Sequence, residues 1–350
     1  MNLLPIISSF FFLLCFSVIF CLSSRHLFGV WLGLELNMLS FIVLIINREN
    51  LRARESSIKY FLLQALGRGL FLFGFVISYL LKGSWRLLPG SGFDIVLILC
   101  GLGVKLGCSP FHFWVPRVIN ALSWSNSLIL RTIQKLVPLC LLIYLYSMEI
   151  INIIIIIGVL GAMVGGLGGL NQTQARALLG YSSISHLGWI ISVRLVSLYY
   201  SVFYFMIYLL RVVIVFWFLS KLDVNKIKYF IVDKEYRRST KNIFFLSLLS
   251  LGGLPPLLGF FPKITVLRII IETNFFSPLM FLILGSLLSL SYYLNIFFSS
   301  YISSVKSYKQ RIYFIFDKGD LVARIRFSIL LIRGFIVVES IIIYALTIFN

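Results

Sequence analysis

Phe93-Asp-Ile-Val-Leu-Ile-Leu-Cys-Gly-Leu-Gly-Val-Lys105-Leu-Gly-Cys-Ser-Pro110-Phe-His-Phe113 is long and apolar enough to cross ~30 Å of hydrocarbon as a helix rising ~1.5 Å per residue. It also carries residues that such a helix tolerates poorly. Lys105 brings a charge, which costs roughly 2.5–3.5 kcal/mol at a helix centre on insertion scales. Pro110, followed by Pro116, removes a backbone donor and clashes with the turn before it. Broken, charged backbone is tolerated in a bilayer only where protein covers it or where it lines a hydrated cavity. The same ingredients recur in Leu249-Ser-Leu-Gly-Gly-Leu-Pro-Pro-Leu-Leu-Gly-Phe-Phe-Pro-Lys263. Two helices broken near mid-membrane are therefore expected, each with its own lysine.

The rest of the chain fits that environment. Of 350 residues, 60% are hydrophobic and 12% charged, against about 25% charged in soluble proteins. Mean hydropathy is +1.00. Apolar runs of roughly 20 residues predict eleven spans: Leu3–Leu22, His26–Ile46, Ser57–Leu81, Phe93–Phe113, Ser125–Tyr146, Ile150–Leu170, Gln174–Val193, Leu198–Ser220, Asn242–Ile271, Pro278–Tyr301 and Phe327–Phe349. The fold expected is an all-α polytopic membrane protein. The first run has no basic residue before it and no small-residue cleavage site after it, so it is expected to be a retained helix. The five cysteines sit in apolar stretches without a CxxC pair, which suggests small buried side chains and no disulfide framework.

Charge orients the bundle. The net charge of +19 comes largely from short loops between spans, where basic residues set topology. No nucleic-acid partner is expected. Seventeen Lys and Arg, from Arg48, Arg52 and Arg54 to Lys318, Arg324 and Arg326, fall on one side. Four (Arg25, Lys82, Arg86, Arg194) fall on the other. The alternation places the N-terminus on the positive side and the C-terminus opposite. The broken spans, fourth and ninth, are five apart, and an odd offset means opposite direction. That pattern predicts two inverted five-helix repeats in a single transmembrane domain: about 3–146, about 150–301, then a final helix at about 327–349.

Glu35 and Lys135 lie nine and ten residues into their spans, close to mid-bilayer. With Lys105 and Lys263 they make four ionisable groups at depth, and such groups mark ion or proton paths. Lysine suits proton relay because a buried ammonium can give up its proton, whereas a guanidinium keeps it. Arg131 shares a helical face with Lys135, or reaches the basic surface. Arg68, Arg211, Arg268 and Arg333 suit lipid, partner or helix-to-helix contacts, and Lys59 suits the interface. His112 and His186 are candidate relays, since imidazole titrates near neutrality. There is no Walker A loop, no dinucleotide-binding glycine pattern and no metal-ligand cluster. Gly161 to Gly169 suits close helix packing.

Several motifs carry a family resemblance. Trp31-Leu-Gly-Leu-Glu-Leu-Asn-Met-Leu-Ser-Phe41, Ile58-Lys-Tyr-Phe-Leu-Leu-Gln-Ala65, Lys105 to Pro116, Gly168-Gly-Leu-Asn-Gln-Thr-Gln174, Tyr181-Ser-Ser-Ile-Ser-His-Leu-Gly-Trp189 and Leu249 to Lys263 resemble the subunit 2 family of mitochondrial NADH dehydrogenase. They cover about two-thirds of the chain. The resemblance implies an antiporter-like subunit in the membrane arm of respiratory complex I. It implies a proton path over Glu35, Lys105, Lys135 and Lys263, with Glu35 and Lys105 as a modulating pair and Lys135 as the central station. Lys263 would lead toward the intermembrane space. It further implies the mitochondrial inner membrane, with basic loops and N-terminus in the matrix and the C-terminus in the intermembrane space. Partners would be other membrane-arm subunits and lipid, cardiolipin at the basic loops included. NAD, FMN, iron–sulfur clusters and ubiquinone would belong to partner subunits, with no cofactor in this chain. Arg68, Arg117 and Asn295 depart from the family's usual residues. Two other functions fit the residues: a stand-alone cation/proton antiporter and a non-pumping structural spacer.

Overall fold

A computed structural model describes residues 3–46, 51–83, 92–145, 151–194, 197–222, 238–255, 257–272 and 276–311. These form helices α1 (Leu3–Ser23), α2 (Leu27–Ile46), α3 (Leu51–Lys82), α4 (Phe93–Leu106), α5 (Trp114–Ala121), α6 (Trp124–Arg131), α7 (Ile133–Tyr144), α8 (Ile151–Leu170), α9 (Ala175–Val193), α10 (Leu198–Leu222), α11 (Arg238–Gly252), α12 (Phe261–Glu272) and α13 (Phe276–Arg311). The first ten predicted spans appear among them. The eleventh, with Arg333, lies outside the described residues, as do Arg48, Arg86, Lys318, Arg324 and Arg326. Among the described residues, six stretches are by themselves long and apolar enough to cross a membrane.

The molecule is apolar outside as well as inside, and several of its charges are buried. Phe12, Leu66 and Leu80 are exposed, while Arg131, Lys135, Arg211 and Lys263 are buried. α9 shows why. Its Ser182, Ser183, Ser185 and His186 make it too polar to face lipid, and nearly every side chain from Ala177 to Val193 is buried. α9 packs against α5, α8, α10, α12 and α13, so it is the axle of the bundle.

Glycines set the closest approaches, as expected for Gly161–Gly169. On α8, Gly158, Gly161 and Gly165 abut the α9 backbone, and Gly166 and Gly169 abut α13. In the first half, a methyl group at Gly101 of α4 would stand 2.7 Å from the Gly67 carbonyl oxygen of α3. Such small-residue contacts let membrane helices meet backbone to backbone.

The fourth and ninth spans are broken as expected, but glycine makes the break. Gly107 (φ 67°) and Gly253 (φ 84°) take the left-handed conformation, which costs glycine little. Around the first, Cys108 N donates to Gly103 O at 3.0 Å. Around the second, Leu254 N donates to Leu249 O at 3.4 Å. Both are Schellman-type ends. The Ser109–Pro110 bond is cis. Pro116 and Pro262 instead sit in the first turns of α5 and α12, where a missing N–H is harmless.

One interruption was not expected. The fifth span divides at Thr132 into α6 and α7, immediately before Lys135. The Thr132 hydroxyl donates to Leu128 O at 2.8 Å, a back-bond that bends helices. Pro138 lies one turn beyond Gln134 inside α7 and leaves that carbonyl without its helical donor.

Candidate functional site

The Gly67–Gly101 contact fixes α3 against α4 and thereby the first cluster. One residue beyond Gly67 stands Arg68, and one turn beyond Gly101 stands Lys105. Lys105 Nζ lies over the Phe71 ring, 5.6 Å from its centroid. The carbonyls freed at this break find donors. Trp114 Nε1 donates to Val104 O at 3.0 Å and Gln64 Nε2 to Lys105 O at 3.4 Å. Irregular backbone at membrane depth is thus covered by protein, as it must be.

Arg68, Lys105 and Lys135 line one cavity together with Asn37, Gln64 and Gln134. It offers about 20 Å³ to water, and roughly 10–15 Å³ suffices for one molecule. Its wall is hydrogen-bonded: Tyr60 Oη donates to Gln134 Oε1 at 3.2 Å, and Gln134 Nε2 to Asn37 Oδ1 at 2.6 Å. The ammonium nitrogens of Lys105 and Lys135 are buried with no hydrogen-bond partner among the described residues. Unsatisfied buried donors on two residues that line a cavity of this size are the condition in which bound water is expected.

Glu35 departs from expectation. Its carboxylate forms an ion pair with Arg68, not with Lys105. The reason is geometric. Arg68 projects from α3, the helix packed directly on α2, whereas Lys105 turns inward over Phe71. The helix-to-helix role expected of Arg68 is therefore met inside the candidate site.

The second cluster surrounds Lys263. Its Nζ donates to Gly252 O at 2.8 Å, at the carbonyl end of α11, and lies 5.9 Å from the Trp189 ring centroid. Gly253 permits this, since a methyl group there would stand 2.9 Å from Nζ and 3.1 Å from Cδ. Arg211 Nη1 donates to Ser250 O at 3.0 Å on the same helix end. Two cations thus face the negative pole of α11.

His186 lies between the clusters. Its Nδ1 is 3.1 Å from Tyr204 Oη, and Arg131, Lys135, Arg211 and Lys263 all act on it electrostatically. Arg131 does not reach the surface. It is 1% exposed, donates to Ser182 Oγ at 3.2 Å and lies over Phe216. His112 stands apart, its Nδ1 3.1 Å from Pro110 O beside Phe113. Lys59 is exposed and paired with Glu55, and Arg268 is exposed and paired with Glu272. Lys105 and Lys135 thus line one cavity, and the four cations around His186 act on a buried imidazole that meets Tyr204 and Tyr208. The tyrosines, Asn37, Gln64 and Gln134 were not singled out from sequence. The serine-rich run of α9 was the signal that this helix is interior.

Residues 24–289 match the family model described as NADH:quinone oxidoreductase/Mrp antiporter, TM. A protein of Anopheles gambiae named NADH-ubiquinone oxidoreductase chain 2 is 38% identical over 83% of this chain and 84% of its own. The protein of that name from Xenopus laevis is 38% identical over 78% and 80%. A chain in the structure of respiratory complex I from Thermus thermophilus superposes with TM-score 0.75 at 29% identity, covering 82% of this chain and 69% of that one. A chain of the Mrp complex from Dietzia shares the fold, with TM-score 0.75 at 18% identity over 81% and 58%.

Proposed function

The chain belongs to the NADH:quinone oxidoreductase/Mrp antiporter transmembrane family, and from that premise we propose that its buried lysine row carries protons across the mitochondrial inner membrane. It is an antiporter-like membrane subunit of respiratory complex I. Electron transfer from NADH to ubiquinone belongs to partner subunits, which hold NAD, FMN and iron–sulfur clusters. Its own partners are other membrane subunits and lipid, with cardiolipin at the basic loops. The N-terminus and those loops face the matrix, and the C-terminus faces the intermembrane space.

One observation carries this function. Two lysine side chains without hydrogen-bond partners among the described residues share a cavity large enough for water. An amine can take a proton from water and return it, so Lys105 and Lys135 can exchange one across the cavity. Glu35 supplies the carboxylate of this half. From Lys135 the proton passes by way of His186 to Lys263, where the broken ninth span opens the way outward. His112 is a secondary relay beside the first break.

Lys135→Met tests the proposal. In membranes carrying the intact complex, proton transfer through this chain should slow by about 100-fold or more, the lower edge of what removing a proton-transfer group costs, and protons translocated per NADH should fall accordingly. NADH oxidation by a hydrophilic acceptor should be unchanged. An unaltered ratio with full assembly would make the chain a spacer.

A further inference from the structure

We propose that Arg68 is a latch on Glu35, holding the carboxylate away from Lys105 until the pair opens; this rests on the proton path above. Three cations line this cavity, Arg68, Lys105 and Lys135, and Arg68 binds the carboxylate of Glu35. Glu55, Asp94 and Glu272 are the other acidic residues among those described. Glu55 and Glu272 are exposed, each paired on its own helix, and Asp94 lies at the far end of α4, three turns before Lys105. None of them competes for these cations.

The choice of arginine matters. A guanidinium keeps its proton under any condition a protein meets. While Glu35 is bound to Arg68, no proton can pass from Arg68 to it. Lys105, without a hydrogen-bond partner among the described residues, is then free to exchange with cavity water. When the Glu35–Arg68 pair opens, the same carboxylate can turn to Lys105 and retain its ammonium. One anion shared between a fixed cation and a protonatable one gives two states of the entry side.

The backbone leaves this exchange to side chains. Gly67 and Gly101 are in contact: a methyl at Gly67 would stand 3.1 Å from Gly101 O, and one at Gly101 2.8 Å from Phe71 N. The helices bearing Arg68 and Lys105 are therefore packed backbone to backbone. The pair is also less enclosed than the lysines, with Glu35 26% and Arg68 12% exposed. It therefore has room to open that Lys105 and Lys135 lack.

The test is a double-mutant cycle in membranes holding the assembled complex, with protons per NADH as readout. Arg68→Met should lower that ratio by about fivefold, the lower edge of typical coupling effects, at unchanged oxidation of NADH by a hydrophilic acceptor. Combining Arg68→Met with Glu35→Gln should give no further loss beyond Glu35→Gln alone, because the latch acts only through that carboxylate. Independent, multiplying losses would make Arg68 a structural residue and overturn the proposal, as would normal pumping by Arg68→Met. If Arg68→Met does not assemble, Arg68→Lys decides. A lysine keeps the charge but can release its proton, so coupling should still fall, and an unchanged ratio overturns the latch. Lys135→Met, run alongside, separates the outcomes: if it pumps normally the proton path itself fails, and if it does not, a negative Arg68 result removes the latch alone.

Discussion

Replacing Gly188 with alanine is expected to lower the amount of assembled complex several-fold. The added methyl carbon would stand 2.5 Å from Gly158 O, 2.6 Å from Ala162 N and 3.0 Å from the Gly161 carbonyl carbon. All three are backbone atoms of α8, which no rotamer change can move. Nor can α8 retreat, because its other face is held: a methyl at Gly166 would meet Gly285 O at 2.8 Å, and one at Gly285 would meet Ala162 O at 2.6 Å. Overpacking of this kind costs about 1–3 kcal/mol and sometimes more, and losses of that size change abundance several-fold in cells. His186 stands two residues away, so α9 would also lose its alignment on Tyr204. Gly69→Ala is the control, since nothing lies within 4 Å of a methyl there. Native electrophoresis of solubilised membranes measures the assembled band. Equal bands for Gly188→Ala and Gly69→Ala would refute the α8–α9 packing.

Lys263→Met should abolish most proton translocation and weaken the broken ninth span as well. The ammonium donates to Gly252 O, so its loss leaves a buried carbonyl unsatisfied at a cost of about 1–3 kcal/mol. Arg211 continues to hold Ser250 O, which limits the damage to one bond. Lys263→Arg divides the two effects. Arginine can still donate to the helix end but cannot release a proton. Lys263→Arg should therefore assemble and oxidise NADH with a hydrophilic acceptor at the normal rate, while proton transfer through this chain slows by about 100-fold or more and protons per NADH fall accordingly. Pumping at the normal ratio by Lys263→Arg would remove Lys263 from the path.

Much of this was legible in the sequence. Charged residues inside apolar runs located Lys105, Lys135 and Lys263, all buried, because hydrophobic length and cost of burial are local properties. The ends of α2 and α8 fall within a residue of the predicted spans for the same reason. Pairings were not legible. Whether Glu35 meets Arg68 or Lys105 depends on which faces α2, α3 and α4 turn to one another, and spacing along one helix does not encode that. Proline drew attention to the two breaks, yet Gly107 and Gly253 make them. A left-handed glycine looks the same in sequence as one used for packing. The choice between the two readings of Arg131 was not legible for a related reason: its burial follows from Ser182 and Phe216 on other helices.

The length of α3 has a consequence of its own. Its 32 residues extend about 48 Å, well beyond ~30 Å of hydrocarbon, so it must tilt or protrude. α8 and α9, at 20 and 19 residues, match that thickness and are fastened together through glycine. A thinner or thicker bilayer therefore meets α3 at a different height along its protruding length, and the inner pair keeps its spacing. Conduction should tolerate changes in acyl-chain length that alter the subunit's outline.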